Sequence, residues 1–279
     1  YPLHALFLII FLFIEVFRYL LEVNYGLESN NKAFSNNNLY NFFGNVFLIQ
    51  TFFDSNSYNT PSWSISAEYY TYLLFALILF FPKKNFLIIF ILIILVLYRL
   101  NTDIGFGINY TYLSFLDCIY CFFVGLLSCQ IYLKINSQAY FKNNYKLFTL
   151  IFLLISIFSM VLLRNNFQYI LPLLFGFLMI FSADLKEDSL LGKIICNKFC
   201  VYLGTISYSI YMCHLFVFWS LTQVLRFIFK VSTITDNEGI VRIDFSNTEA
   251  NLMVLTSYAI TICLSHFLYK YFELKFYKS

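Results

Sequence analysis

The 279-residue chain is 60% hydrophobic and only 12% charged, and its net charge is +3. Soluble domains carry about 25% charged residues, so this composition excludes an ordinary soluble protein and indicates a lipid solvent. The small net charge gives no sign of a nucleic-acid partner. The apolar runs are long and unbroken, which favours an all-α helical bundle over a β-barrel.

About eight apolar segments are long enough to cross a bilayer, which takes roughly 20 residues each. In chain order they are Pro2–Leu21, Ile65–Phe81, Phe86–Leu100, Tyr112–Leu133, Leu147–Leu163, Phe167–Ala183, Leu203–Phe229 and Leu252–Phe272. Pro172 is expected to kink its helix. The shorter run Leu39–Phe53 is expected to form an interfacial or re-entrant helix within a long loop, residues 22–62. The sequence therefore predicts a single polytopic transmembrane domain over residues 1–279.

The lysines predict the orientation of this domain. Most of them fall in alternate loops, on the side that holds Lys83, Lys84, Lys134, Lys142, Lys146, Lys186, Lys193, Lys198, Lys270, Lys275 and Lys278. By the positive-inside rule this side is cytoplasmic, and an even number of spans places both Tyr1 and Ser279 there. The two longest connections, Glu22–Ser64 and Lys230–Asn251, then lie on the extracytoplasmic face.

The first span carries three ionisable residues near its outer end. Glu15, Arg18 and Glu22 share one helix face at i, i+3 and i+7. A paired surface cluster is one interpretation. The alternative is that Arg18 binds an anionic phosphate or carboxylate at the mouth of the membrane.

Glu68 lies close to the start of the second span, where Thr60 is expected to cap the helix and Pro61 to occupy its first position. Ser64, Glu68 and Thr71 share one face, and the carboxylate lies only ~9 Å below the helix start. A charge in a membrane span is costly, so it indicates function. Glu68 is predicted to accept a proton or bind a substrate hydroxyl, the alternative being an interfacial glutamate held by serine hydroxyls.

His214 is the corresponding residue of the penultimate span. Ser207, Tyr211 and His214 form a polar stripe at i, i+4 and i+7, and His214 lies ~17 Å from the cytoplasmic start of the segment. A histidine at that depth is expected to shuttle protons or contact substrate. The alternative is a neutral histidine bonded to the next helix.

The remaining polar residues in apolar runs favour structural roles. The seven cysteines have no histidine at zinc-ligand spacing, so reduced packing residues and no metal site are predicted. His266, Lys270 and Glu273 are interpreted as a helix-end network near the cytoplasm, and Asp117 as a lone structural acid.

Two stretches resemble signatures of the integral-membrane acyltransferase-3 family, which includes O-antigen and exopolysaccharide O-acetylases. Trp63–Glu68 (WSISAE) resembles the family's Trp-Ser-Leu-Ser-Val-Glu motif, and Leu203–His214 (LGTISYSIYMCH) resembles its Leu-Gly-x-Ile-Ser-Tyr-Ser-Leu-Tyr-Leu-x-His helix. Phe122–Leu127, His266–Lys275 and Tyr1–Leu3 resemble weaker family patterns. Together these stretches extend over the whole chain.

The resemblance implies transfer of an acyl group, most commonly acetyl, from cytoplasmic acyl-CoA to a hydroxyl of a cell-surface or lipid-linked glycan across a bacterial inner membrane. Acyl-CoA is then a co-substrate, with no bound cofactor. Glu68 with Trp63, Ser64 and Ser66 is expected to position the acceptor glycan, while His214 with Ser207, Tyr208 and Tyr211 lines the acyl route. The family has about ten spans, with its proposed catalytic histidine on the first, so the chain is expected to lack two N-terminal helices and that base.

Three alternatives remain open from the residues. A transporter or flippase of a lipid-linked glycan would need no covalent chemistry, but such folds have paired repeats and broken helices that this sequence does not display. A polytopic glycan polymerase would have a long outer loop rich in catalytic arginines, for which Arg242 alone is thin support. The third alternative is an inactive fragment.

Overall fold

The computed structural model describes residues 1–26, 30–52, 56–80, 86–104, 112–135, 139–162, 170–185, 189–235 and 240–277. Its helices are α1 (Pro2–Tyr25), α2 (Leu39–Val46), α3 (Trp63–Ile78), α4 (Phe86–Ile104), α5 (Tyr112–Ile135), α6 (Ala139–Leu162), α7 (Leu171–Ser182), α8 (Leu190–Ile195), α9 (Lys198–Thr205), α10 (Ser207–Phe227), α11 (Asn247–Leu268) and α12 (Leu274–Tyr277). A 3₁₀ turn, Thr60–Ser62, precedes α3, and a π-helical turn, Tyr269–Glu273, joins α11 to α12. These elements confirm the all-α class.

Four helices in the described part of the chain are long and apolar enough to cross a membrane: Ser114–Ile135, Asn144–Leu162, Ser207–Phe227 and Asn247–Phe276. Two apolar helices, Ile89–Tyr98 and Leu171–Ser182, are shorter. The predicted count of about eight spans is therefore not confirmed. One reason is length, because α3 has 16 residues and a full crossing takes about 20.

The outer surface of α6 indicates what surrounds these helices. Only 11% of its apolar window is buried inside the protein. Leu154, Phe158 and Val161 follow one another along one face and are 57%, 65% and 73% exposed. An apolar face of this length has a favourable solvent in lipid and not in water, so α6 fits a membrane protein.

The chain divides into two compact units, one formed by Tyr1–Trp63 with Tyr202–Ser279 and the other by Ser64–Val201. In the Ser64–Val201 unit, α5 packs against both α4 and α7, and α6 packs against α7. Phe90, Tyr120 and Phe123 are the largest buried residues of its core. Gly176 allows α7 to approach α5 closely, since a Cβ there would lie 2.5 Å from the Ser128 Oγ.

In the other unit, α10 packs against α11, and α1 packs against both α10 and α2. The buried residues of α11 recur every fourth position: Met253, Ser257, Thr261 and Ser265. Small polar residues at a helix interface let backbones approach, as is common between membrane helices. The Phe216 ring on α10 meets the rings of Phe7 and Phe11 on α1 edge to face.

Several predicted boundaries are wrong. The helix expected over Leu39–Phe53 ends at Val46, because Leu48 adopts a left-handed backbone (φ 55°) that helices do not continue through. The segment Leu203–Phe229 is interrupted at Ile206, which separates α9 from α10. Pro172 lies in the first turn of α7, where its missing N–H is no loss, and not at an interior kink.

The connection between α10 and α11 contains an antiparallel hairpin that the sequence analysis missed. Strand β1 (Thr233–Thr235) pairs with β2 (Val241–Ile243), with Ile234 opposite Arg242. The side-chain amide of Asn30 donates to the Val241 carbonyl (3.1 Å) and accepts from its N–H (3.2 Å). The long loop after α1 is thereby attached to the hairpin.

Several charged residues that carried the orientation argument lie outside the described residues. They are the lysines Lys83, Lys84, Lys186 and Lys278, and only the backbone of Lys142 is described.

Candidate functional site

The segment that leads into α3 is hydrogen-bonded to the first turns of α10. Tyr211 donates its hydroxyl hydrogen to the Pro61 carbonyl (2.8 Å), and the Asn59 side-chain amide donates to the Met212 carbonyl (2.8 Å). The residues just before the WSISAE motif and the second motif therefore meet within one unit. Sequence analysis predicted both motifs, but not this direct contact.

His214 is half-buried on α10, and its tautomer follows from its partner. The ring Nδ1 lies 2.7 Å from the Tyr211 carbonyl oxygen. A carbonyl only accepts, so Nδ1 must carry the hydrogen, and the Nε2 of the neutral ring is left as an acceptor. Within the described residues, nothing hydrogen-bonds to that Nε2. This imidazole is therefore oriented by its own helix, not by a bond to the next helix as the structural alternative required.

The other predicted residues on α10 differ in how deeply they are buried. Ser207 is exposed and its neighbour Tyr208 is half-buried, so this part of α10 is not uniformly enclosed. Ser209, which sequence reasoning did not single out, is fully buried and donates to the Glu273 carboxylate (2.6 Å). The π-helical turn contains Glu273, and such turns are frequent at functional sites.

Glu68 belongs to the Ser64–Val201 unit. Its side chain is exposed, and it forms no hydrogen bond or ion pair with any residue that the structure describes. Ser66 is buried and Ser64 half-buried, while the Thr71 hydroxyl donates to the Ala67 carbonyl (2.8 Å). The predicted Thr60 cap is absent, since no side chain caps the 3₁₀ turn that precedes α3. Glu68 is thus a carboxylate on an apolar helix without a structural partner in the described chain.

Arg18 pairs with Glu15 on its own helix at 2.8 Å. The same guanidinium donates to the Asn31 carbonyl, and Glu15 also accepts from the Phe34 N–H (3.0 Å) and the Asn37 amide (2.9 Å). This network orders the start of the long loop. It is the paired cluster that the sequence favoured, and an anion-binding role for Arg18 stays a prediction.

Near the end of α11, two residues of the predicted helix-end network are engaged with other helices. His266 Nδ1 hydrogen-bonds the Tyr202 hydroxyl, and Glu273 accepts from Ser209 as described above. Cys213 on α10 lies 3.2 Å from the Ser265 hydroxyl, and all seven cysteines are free. These contacts hold α10 against α11 and so fix the direction of the helix that carries His214.

Tyr58 anchors the polar loop beside this site. Its hydroxyl donates to the carbonyls of Asn37 (2.6 Å) and Asn38 (3.0 Å). Burial, reinforced by the negative charge of Glu15, raises the pKa of Tyr58 to about 12. The loop therefore depends on a neutral phenol.

Comparison with known proteins places the chain in a family. The acyltransferase-3 family model, described as an acyltransferase domain, matches residues 3–270. No curated protein and no solved structure matches the chain. The match extends across both compact units and includes both sequence motifs, so the chain belongs to the acyltransferase-3 family.

Proposed function

We propose that this protein is a multi-pass O-acyltransferase of a bacterial inner membrane that moves an acetyl group from acetyl-CoA to a hydroxyl of a cell-surface or lipid-linked glycan. The reaction removes the proton of the hydroxyl, joins its oxygen to the thioester carbonyl carbon and breaks the carbon–sulfur bond. Coenzyme A leaves as a thiol. Such chemistry needs a base and donors for the developing oxyanion.

The observation that carries the proposal is the state of His214. Its Nδ1–H is bound by the Tyr211 carbonyl, so the ring presents an unprotonated Nε2 with no partner among the described residues. A nitrogen in that state is suited to accept a proton or a substrate hydrogen bond. We assign Ser207, Tyr208 and Tyr211 to the lining of the acyl route beside it.

Glu68, together with Trp63, Ser64 and Ser66, is assigned to the acceptor glycan. Its carboxylate has no structural partner in the described chain, although a charge on an apolar helix is costly to keep. Carboxylates are strong acceptors for hydroxyl hydrogens. Arg18 is kept as a candidate contact for an anionic group of either substrate.

The proposal is tested with membranes that contain the protein expressed from its complete reading frame. Radiolabelled acetyl-CoA is added, and label is measured in the base-labile ester fraction of the surface glycan. Wild-type membranes are expected to label the glycan, and Glu68→Gln to reduce labelling by about 10- to 100-fold, the effect of one lost hydrogen bond to a charged group, at unchanged abundance. Glu249→Gln is the matched control, because glutamine can replace glutamate in the capping box that Ser246 and Glu249 form at the start of α11.

Two results would contradict the proposal. Wild-type membranes that leave the glycan unlabelled, while loss of the protein blocks glycan export, would favour a transporter. A Glu68→Gln protein that disappears from the membrane, or that labels as well as Glu249→Gln, would make Glu68 structural or dispensable.

A further inference from the structure

A buried polar cluster lies where the long loop packs against the start of α1. It consists of His4, Asn45, Gln50, Asn59 and Ser62, each at most 2% exposed. Hydrogen bonds link its members. His4 Nε2 contacts the Asn45 carbonyl (3.0 Å), Ser62 Oγ contacts Asn45 Oδ1 (3.4 Å), Gln50 Nε2 donates to the Ser62 carbonyl (3.1 Å), and the Ser62 N–H donates to the Asn59 carbonyl (2.8 Å).

Three side-chain atoms of this cluster have no hydrogen-bond partner among the described residues: His4 Nδ1, Gln50 Oε1 and Asn59 Oδ1. The partners of each side chain determine what the open atom is. His4 Nε2 faces a carbonyl and so carries the hydrogen, which leaves Nδ1 as a lone-pair acceptor. Gln50 and Asn59 each use their NH₂ group on a carbonyl, so their open atoms are amide oxygens. All three open atoms are therefore acceptors.

The rest of the cluster is fully bonded, so the open acceptors are not a sign of loose packing. Asn45 donates to the carbonyls of Asn41 (2.7 Å) and Asn56 (2.9 Å). Its Oδ1 receives the Tyr58 N–H (3.3 Å) as well as the Ser62 hydroxyl. Buried polar atoms without partners are rare in proteins, and three acceptors within two hydrogen bonds of Ser62 indicate that something else supplies the donors.

The chemistry of the three open atoms limits the class of ligand that can bind them. Phosphates and carboxylates bring further acceptors and would be repelled, and an acyl chain would leave all three atoms unpaired. No member of the cluster carries a carboxylate that would balance a cation. A neutral molecule with several hydroxyls satisfies the requirement, and Asn59 is bonded to Met212, two residues from His214.

We propose that His4, Gln50 and Asn59 form a hydroxyl-binding site for the acceptor glycan, in which His4 Nδ1, Gln50 Oε1 and Asn59 Oδ1 each accept a hydrogen bond from a sugar hydroxyl. The site rests on the proposed function and specifies its acceptor as a neutral polyol bound beside α10.

The test uses His4→Gln in the protein expressed from its complete reading frame. The glutamine amide lies near the position of Nε2, so it keeps the donor to the Asn45 carbonyl and lacks an acceptor at the Nδ1 position. Glu249→Gln is the control, because it introduces a glutamine outside the cluster and keeps the capping box at the start of α11. The probe is the surface polysaccharide of the source organism, freed of its esters with mild base.

Two quantities are measured: the KM of acetyl transfer for each substrate, and direct binding of the polysaccharide to detergent-purified protein. His4→Gln is expected to raise the KM for the polysaccharide about tenfold, the effect of one lost hydrogen bond, and to weaken direct binding equally. The KM for acetyl-CoA stays at the wild-type value, and Glu249→Gln behaves as wild type.

The failures are distinguishable. If wild-type protein transfers acetyl groups and His4→Gln has an unchanged KM and unchanged binding, the site is overturned and ordered water satisfies the three acceptors. If wild-type protein binds the polysaccharide in a His4-dependent way but transfers nothing, the proposed function fails and the site stands. If wild-type protein neither binds nor transfers, both are overturned.

Discussion

A histidine has a fixed tautomer when one of its ring nitrogens is hydrogen-bonded to a carbonyl. This protein contains two such histidines, and they use different ring nitrogens for that bond. His214 uses Nδ1 and leaves Nε2 open, whereas His4 uses Nε2 and leaves Nδ1 open. The side-chain amide of an asparagine can replace the hydrogen bond of a histidine Nδ1, and that of a glutamine can replace the hydrogen bond of Nε2. Each histidine can therefore lose its open nitrogen while its structural hydrogen bond is kept.

For His214 this gives a prediction at the level of one atom. His214→Asn keeps a donor for the Tyr211 carbonyl and removes Nε2, so acetyl transfer is expected to fall by about 100-fold or more with unchanged protein abundance. Transfer of radiolabel to glycan is the measurement, and immunoblotting of the membranes is the control. Near-wild-type activity of His214→Asn would show that Nε2 takes no part.

Tyr58 gives a prediction on pH. Its pKa in the folded protein is about 12, against about 10 for an unfolded tyrosine, so folding favours the protonated phenol. That contribution to stability is complete below pH 10 and is lost as the pH rises towards 12. The melting temperature of detergent-solubilised protein should fall more steeply over this interval for wild type than for Tyr58→Phe. Parallel curves for the two proteins would contradict this account.

The sequence could single out His214 and Glu68 as candidates because an ionisable residue in an apolar run is costly and therefore conspicuous. It could not identify Asn45, Gln50 or Asn59. These are neutral polar residues in a polar loop, where such residues are ordinary, and only the folded loop shows that they are buried.

At the scale of elements, the apolar pattern predicts that helices exist more reliably than where they end. The helix starting at Leu39 and the long helices α5, α6, α10 and α11 were found from hydrophobicity alone. The break at Ile206 was missed, because the apolar run continues through it. The hairpin of β1 and β2 was also missed. Its strands have three residues each, which is too short for an alternating hydrophobic pattern to be recognised.

The packing of α7 on α5 can be tested through Gly176. Gly176→Ala places a Cβ 2.5 Å from the Ser128 Oγ and 3.2 Å from Val124 Cγ1. It should therefore cost about 1–3 kcal/mol through overpacking, measured as a lower melting temperature in detergent. Adding Ser128→Ala removes the closer atom and should restore part of the loss. A double variant less stable than Gly176→Ala alone would show that this close approach does not limit the packing.

At the scale of the whole molecule, the charges at the two ends of α11 predict the direction in which this helix and the turns that follow it cross the membrane. The capping box of Ser246 and Glu249 fixes its start, and the continuous candidate span runs from Asn247 to Phe276. Lys270 and Lys275 lie near its far end, whereas the hairpin precedes its start. The positive-inside rule then predicts that the C-terminal end lies in the cytoplasm and the hairpin outside.

Reporter fusions test this direction. Green fluorescent protein fused after Ser279 should fluoresce, and alkaline phosphatase fused there should be inactive, because the phosphatase needs an oxidising compartment for its disulfides. Phosphatase inserted in the hairpin connection, residues 236–239, should be active. Activities reversed at both positions would invert the orientation, and phosphatase activity at both would mean that α11 does not cross the bilayer. Either result would also contradict the interpretation of His266, Lys270 and Glu273 as a helix-end network near the cytoplasm.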